Sequence, residues 1–485
     1  MLPTGHLPAR QLPARLLLTG HGPAAAPRTG ARGGRSPVAF PAMGRLFGTD
    51  GVRGIAGSEL TAELANGLGR AAVEVLGRHG EGHPTFVVGR DPRVSGEWLE
   101  DALVEGIRSA GGNVVIAGVE PTPAIAFITT HMGASSGVVI SASHNPPEYN
   151  GIKFFGSNGR KLPDDLEDEM EALLAEPPGG AHPTGHVLAA GDSRDRYVEH
   201  LVAAAEAPLE GMVLVVDCAN GAAADLAPEV LRRLGATVHP IHAEPDGMNI
   251  NDGCGALFPE VVAAAVVRLG ADAGVCHDGD ADRALFADAQ GNVINGDQVL
   301  AACALAMAES GSLVRNTVVT TVMANLGFFL AMRNAGIEVV SAKVGDRYVL
   351  EQMLERGAVL GGEQSGHVIF REQATTGDGL LTAVRFLSLA ARKGATVREL
   401  GAAMRIYPQV LLNVPVRDRD ALEADDAVAA AVRSAEGALG DAGRVLVRAS
   451  GTEPLVRVMV EAETAEVAEA RAEEVANVVR ARLGA

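Results

Sequence analysis

The strongest constraint on this chain is a rhythm. Short β-branched runs alternate with helical stretches from residue 43 almost to the C-terminus. TFVVG (85–89), NVVIAG (113–118) and GVVIS (137–141) read as strands. Leu99 to Ala110 reads as an intervening helix with Leu99, Ala102, Leu103, Gly106 and Ile107 on one face. The pattern restarts with MVLVVD (212–217) and AGVCHD (273–278), and again with TVVTTV (317–322) and IEVVSA (337–342). Such alternation predicts sheets flanked by helices, with chemistry at the carboxyl ends of strands. After IYPQV (406–410) the rhythm changes: strands are expected at VLLNVPV (410–416), RVLVRAS (444–450) and LVRVMVEA (455–462). A last helix then carries Val467, Val475, Val478, Val479 and Leu483 at helical spacing. The expected fold class is α/β: three similar mixed α/β domains (43–196, 197–295, 296–409) and a C-terminal α+β domain (410–485). The likeness among the three is one of rhythm, not of sequence.

Residues 1–42 stand apart. They hold Arg10, Arg15, Arg28, Arg32 and Arg35 but no Asp or Glu, and Leu16-Leu17-Leu18 is too short for a signal peptide or a membrane span. They read as a disordered leader, or as a start assigned too far upstream, with Met43 the alternative. Across the chain 41 Lys and Arg face 60 Asp and Glu, a net charge of −19 that repels nucleic acid and anionic lipid. Neither is expected as a partner, and an anionic substrate needs a locally basic pocket. Cys218, Cys254, Cys276 and Cys303 form no C-x-x-C, which favours isolated thiols in a reducing, cytoplasmic setting over a disulfide frame or a zinc site.

Several polar constellations interrupt the rhythm. GVVISASHNP (137–146) ends an apolar strand on two serines, a histidine and an asparagine, either a polar turn or a serine presented at a strand end. It is not the hydrolase elbow G-x-S-x-G. HDGDADR (277–283) sets Asp278, Asp280 and Asp282 in alternation after a strand; carboxylates this close repel unless a cation sits among them. An EF-hand would need Gly and Glu where Arg283 and Ala289 stand, so magnesium is the better match. GGEQSGH (361–367) offers Glu363, Ser365 and His367 on a tight loop that suits sugar hydroxyls or a simple hairpin turn. RASGTEPLVRV (448–458) combines a Ser450-Gly451-Thr452 turn with Arg448 and Arg457, which favours an anion site. RLFGTDGVRG (45–54) contributes Arg53, AKVGDRYV (342–349) contributes Gly345, Asp346 and Arg347, and YNGIKFF (149–155) places Lys153 either near the serine or on a strand edge. A serine, an acidic cluster and arginine cradles together point to phosphoryl transfer, in which a protein positions the group and neutralises its charge.

In this order the motifs resemble those of the α-D-phosphohexomutase superfamily, over essentially everything from Met43 onward. SASHNP is similar to its phosphoserine loop, DGDADR to its magnesium loop, GEQSGH to its sugar loop and RASGTEP to its phosphate loop. The resemblance implies a heart-shaped molecule around a central cleft, with a last domain like the TATA-binding-protein fold. FGTDGVRG, PDGMNINDGCGAL (245–257), KVGDRYV and GEQSGH resemble the branch acting on glucosamine phosphates. The implied reaction interconverts glucosamine 6-phosphate and glucosamine 1-phosphate for UDP-N-acetylglucosamine and cell-wall precursors. Carried over, Ser143 bears the phosphoryl group and completes the coordination of one Mg2+ with Asp278, Asp280 and Asp282. Glucosamine 1,6-bisphosphate serves as intermediate and activator. Arg53 and Lys153 flank the transferring group, and Lys153 or His367 moves the proton. Glu363 and Ser365 hold sugar hydroxyls; Gly345, Asp346 and Arg347 line the cleft; Arg283 braces the serine loop. Arg448, Ser450, Gly451, Thr452 and Arg457 hold the phosphate that is not reacting. A homodimer, and first phosphorylation by a kinase or by the protein itself, are further family expectations. The competing readings are a phosphomannomutase/phosphoglucomutase, a magnesium phosphatase, and a phosphosugar-binding regulator without activity.

Overall fold

The computed structural model describes residues 45–78, 83–175, 184–450 and 453–484. The leader expected over 1–42 lies outside the described residues.

The first sheet runs Val52–Ile55, Tyr149–Gly156, Ser136–Ile140, Thr85–Arg90, Asn113–Val119, Val187–Leu188 in spatial order. Its centre is the strand Ser136–Ile140, buried at every residue because helices cover both faces. Val138 and Ile140 pack with Leu64, Leu68 and Leu103 on one side, and Val139 packs with Ile125 and Ile128 on the other. That strand pairs in parallel with Thr85–Arg90 and antiparallel with Tyr149–Gly156. Lys153 is therefore not on a sheet edge, one of the two readings of YNGIKFF, because Val52–Ile55 closes the far side of its strand. The helix expected from Leu99 begins at Val94, its first turn hidden in the sequence by Pro92 and Gly96.

The second sheet orders Val293–Ile294, Leu285–Asp288, Ala273–Cys276, Val213–Asp217, Thr237–Ile241. The third orders Glu338–Ala342, Thr317–Thr321, Leu360–Gly362, Val368–Phe370. One apolar core runs through both: Leu214 and Phe286 belong to the same cluster as Val318 and Phe386, and the two phenylalanine rings lie 4.7 Å apart. The division expected at 295/296 is thus one of chain rather than of packing. Tyr197, expected to open the second unit, falls inside the helix Ser193–Ala203.

The C-terminal sheet is antiparallel, in the order Gln409–Pro415, Leu455–Glu461, Arg444–Ala449, and the helices Asp426–Leu439 and Ala465–Leu483 pack into its core. The last helix keeps helical spacing but buries Ala468, Ala472, Val475, Ala476 and Val479, leaving Val467 exposed. Its alanines carry too little apolar signal to mark the stripe.

A buried joint ties this sheet to the third. Glu461, fully buried at the end of its strand, accepts Asn325 Nδ2–H at 3.0 Å and Leu326 N–H at 3.2 Å, and pairs with Arg444 at 2.7 Å. Behind it Asp297 accepts Asn325 N–H at 2.8 Å, while its other oxygen has no hydrogen-bond partner. Burial above all, reinforced by Glu461, pushes the Asp297 carboxyl up to about 7. Between its unfolded value near 4 and that value the folded chain holds a proton that the unfolded chain releases, so stability falls as pH rises through the window. Asp297→Asn removes this slope. Denaturation at pH 8 should find the variant more stable than the parent by about 1–3 kcal/mol, the gap shrinking as pH is lowered from 7 toward 4.

Candidate active site

The apolar strand Ser136–Ile140 ends where polar chemistry begins. Ser143 is held at φ 50°, in the left-handed region that non-glycine residues rarely adopt. Its N–H donates to Ser141 Oγ at 2.9 Å, and Ser141 donates in turn to Asp91 Oδ2 at 2.5 Å. The fully buried Arg93 sits beneath, paired with Asp91 at 2.9 Å. It donates to the carbonyl oxygens of Ser143 (3.0 Å), Asn145 (2.8 Å), Tyr149 (3.1 Å) and Pro146. Asn251, from the second α/β unit, donates to the Ser143 and Asn145 carbonyls at 2.9 and 3.2 Å. The serine is thus fixed from two units at once.

Asp278, Asp280 and Asp282 follow the strand Ala273–Cys276, and their oxygens lie within 4.8 Å of one another. Ser143 Oγ donates to Asp278 Oδ2 at 2.6 Å. Asp280 accepts Thr122 Oγ–H at 2.6 Å, but its Oδ1, like Asp282 Oδ1, is buried with no hydrogen-bond partner among the described residues. Burial first, and the neighbouring carboxylates second, push both carboxyls up. Arg283, 3.8 Å from Asp282 and 4.0 Å from Asp278, offsets part of this repulsion. Partnerless, mutually repelling oxygens suit a small hard cation such as magnesium, which prefers oxygen ligands. Gly279 between them has no room for a side chain, since a Cβ there would sit 2.6 Å from Ser143 O. Gly279→Ala is expected to displace the serine loop and lower turnover about 10²-fold, measured by steady-state kinetics with folding checked by circular dichroism.

A cavity of about 370 Å³ opens over Ser143 and is lined by Arg53, Lys153, Asp280, Asp282, Arg283, Gly345, Asp346, Glu363, Ser365 and His367. Burial opposes the charge of Lys153, but Asp346 at 3.5 Å and Asp50 outweigh it and raise the ammonium above its ordinary value. Asp346 is held well below the carboxylate range; burial alone would raise it, but Lys153 and His367 prevail. His367 is buried with neither ring nitrogen hydrogen-bonded among the described residues, its Nε2 3.9 Å from Asp282 and from Asp346. Glu363 accepts Gly345 N–H at 3.0 Å, and Ser365 Oγ is a buried hydroxyl without a partner. His144 Nδ1 lies 3.3 Å from Ser143 Oγ; burial, with Arg283 and Arg53 nearby, pushes that imidazole down to about 4.

Other expected residues do not line this cavity. Arg347 pairs with Asp164 at 2.6 Å and Glu351 at 2.8 Å, beside an adjoining cavity of about 270 Å³ that shares Lys153, Asp346 and His367. Arg448 and Arg457 face each other across two paired strands, and Ser450 N–H donates to Leu455 O at 2.9 Å. Burial and the Arg457 charge lower the Arg448 guanidinium, a crowding of cations that an anion would relieve. Gly451 and Thr452 lie outside the described residues. Sequence reading missed Asp91, Arg93, Thr122 and Asn251. Two signals were available: RDPR (90–93), an acid and a base two residues apart directly after a strand, and the segment PDGMNINDGCGAL (245–257), which contains Asn251.

Models of the phosphoglucomutase/phosphomannomutase domains match the chain in order: α/β/α domain I at 44–178, domain II at 195–291, domain III at 295–407 and the C-terminal domain at 411–478. The chain is 55% identical over 452 residues to a phosphoglucosamine mutase of Frankia casuarinae, covering 91% of this chain and 99% of that protein. It is 52% identical over 445 residues to one of Corynebacterium diphtheriae (90% and 99%). A Burkholderia thailandensis phosphoglucomutase/phosphomannomutase family protein superposes with a TM-score of 0.76 at 27% identity, over 90% of this chain and 97% of that one. At the level of fold, Aspergillus fumigatus N-acetylphosphoglucosamine mutase, solved with GlcNAc-6P and magnesium, matches with a TM-score of 0.63 at 19% identity over 91% and 96%. With these matches extending over all four sheets, the chain belongs to the phosphoglucosamine mutase family of the phosphoglucomutase/phosphomannomutase group.

Proposed function

We propose that this protein is an isomerase that interconverts glucosamine 6-phosphate and glucosamine 1-phosphate through phosphorylated Ser143. One observation carries the reading: Ser143 Oγ lies 2.6 Å from Asp278 and opens onto a cavity lined by Arg53, Lys153 and Arg283. The phosphoryl group passes from Ser143 Oγ to a sugar hydroxyl. The Oγ–P bond breaks as the new O–P bond forms, giving glucosamine 1,6-bisphosphate. That intermediate reverses in the cavity and returns its other phosphoryl group to Ser143. A magnesium ion held by Asp278, Asp280 and Asp282 would neutralise phosphoryl oxygens during transfer.

The chain's own side chains supply the rest. Lys153 stays an ammonium and, with Arg53, faces the equatorial oxygens. Either Lys153 or His367, both lining the cavity, moves the proton between the serine oxygen and the sugar hydroxyl. Glu363 and Ser365 hold sugar hydroxyls, and the Arg448–Arg457 pair beside Ser450 holds the phosphate at rest. A cytoplasmic setting rests on the four unpaired cysteines; no described helix is long and apolar enough to cross a membrane.

Intact mass spectrometry tests the reading. After glucosamine 1,6-bisphosphate and magnesium, the parent should gain one phosphoryl group and Ser143→Ala none. An unmodified parent, or a mutant that gains the same mass, removes Ser143 as carrier. Turnover highest on glucosamine 6-phosphate, against the glucose and mannose analogues, fixes the sugar.

A further inference from the structure

Away from the serine cavity, three loops of the second sheet bring unlike ligand atoms together. Asp217 ends the strand Val213–Asp217, His242 follows the strand Thr237–Ile241, and Cys254 lies in the loop after Asn251. One ligand atom from each lies within 4.8 Å of the other two. The fully buried Asp217 accepts Ala219 N–H at 3.0 Å and Gly255 N–H at 3.1 Å, one on each oxygen, which leaves a second lone pair on each. His242 Nδ1 is buried and 3.1 Å from Asp217 Oδ2, yet makes no hydrogen bond. Cys254 is a buried free thiol.

We propose that Asp217, His242 and Cys254 form a site for a borderline-soft divalent cation of the zinc class. Sulfur, imidazole nitrogen and carboxylate oxygen together are a zinc donor set, whereas magnesium takes oxygen alone. With metal–ligand bonds of about 2.1 Å, tetrahedral nitrogen and oxygen ligands stand about 3.4 Å apart. The 3.1 Å between His242 and Asp217 is close to that spacing. Water would fill the fourth position. In the metal-free chain burial, and secondarily Asp217 and Asp252, push the Cys254 thiol up to about 12, so binding releases its proton to solvent as the sulfur–metal bond forms. The role is a clip. The loop that carries Cys254 also carries Asn251, which holds the Ser143 and Asn145 carbonyls. Cysteine spacing gave no hint of the site because its partners are an aspartate and a histidine from other strand ends.

The test uses the full-length, metal-stripped protein titrated with Co2+ alone. A thiolate-to-cobalt charge-transfer band in the near ultraviolet should saturate at one equivalent, survive Asp280→Asn, and be displaced by Zn2+. In Cys254→Ser and in His242→Ala the band should be lost, or the cobalt affinity weakened at least tenfold. The His242 side chain is 34% exposed, and circular dichroism of His242→Ala checks that the fold is kept. A parent protein without the band overturns the proposal. So does a band of unchanged affinity in either variant.

Discussion

Asp278→Asn is expected to lower turnover by about 10³-fold while leaving the metal-free protein at least as stable as the parent. The two effects share one origin. Asp278 is fully buried, accepts the Ser143 hydroxyl at 2.6 Å, and lies beside two carboxyls that its charge helps to push up. Asparagine keeps the size and one acceptor oxygen but removes the charge, so the repulsion within the trio falls and the apo fold relaxes. The same loss strips the hard-cation site of a ligand and leaves the charge on a transferring phosphoryl group poorly neutralised, where a single electrostatic contact is worth about 10²–10³ in rate. Activity against magnesium concentration, with thermal melts in chelator, separates the two. A variant of full activity, or one that melts well below the parent in chelator, would contradict this account.

Arg93→Ala is expected to destabilise the first α/β unit by about 3–5 kcal/mol and to abolish measurable turnover. Arg93 touches no substrate-facing atom, but its guanidinium donates to four carbonyls of the segment 143–149 and offsets the buried Asp91. Burial already pushes the Asp91 carboxyl up despite Arg93, and removing the arginine leaves that carboxylate uncompensated beneath the serine loop. Arg93→Lys separates fold from positioning. An ammonium still offsets Asp91 but cannot fork to four carbonyls. The lysine variant should regain most of the thermal stability yet transfer phosphoryl groups at least tenfold more slowly, as read by the rate of Ser143 phosphorylation from the bisphosphate. Recovery of full rate with stability would mean that Arg93 serves the fold alone.

These two residues also mark the limit of what the sequence tells. Asp278 stood out because alternating carboxylates after a strand are costly without a cation. Ser143, Glu363 and His367 sat in local motifs that the residues alone left open between a polar turn and a site, and only the resemblance to the phosphohexomutases gave them roles. The α/β rhythm was legible because buried parallel strands are written as continuous β-branched runs. Arg93, Asn251 and Thr122 were not, because each acts through hydrogen bonds to a loop far along the chain, Arg93 to four carbonyls, Asn251 to two and Thr122 to one carboxylate. Arg347 shows how far a motif reaches. It suggested a cleft cation, and the fold holds it against Asp164 and Glu351 beside the cavity that adjoins the serine's. The shared core of the second and third units escaped too, since periodicity reports that a face is buried but not which face covers it.

The joint at Glu461 has a mechanical consequence. Glu461 closes the seven-residue strand that begins at Leu455, so its anchored carboxylate stands about 20 Å from the far end of that strand. That strand is paired on both sides, so any tilt at its buried end is shared by the whole sheet. A rotation of the sheet by about 10° about that end would carry Leu455 through roughly 3.5 Å. That sweep is on the scale of a phosphate group.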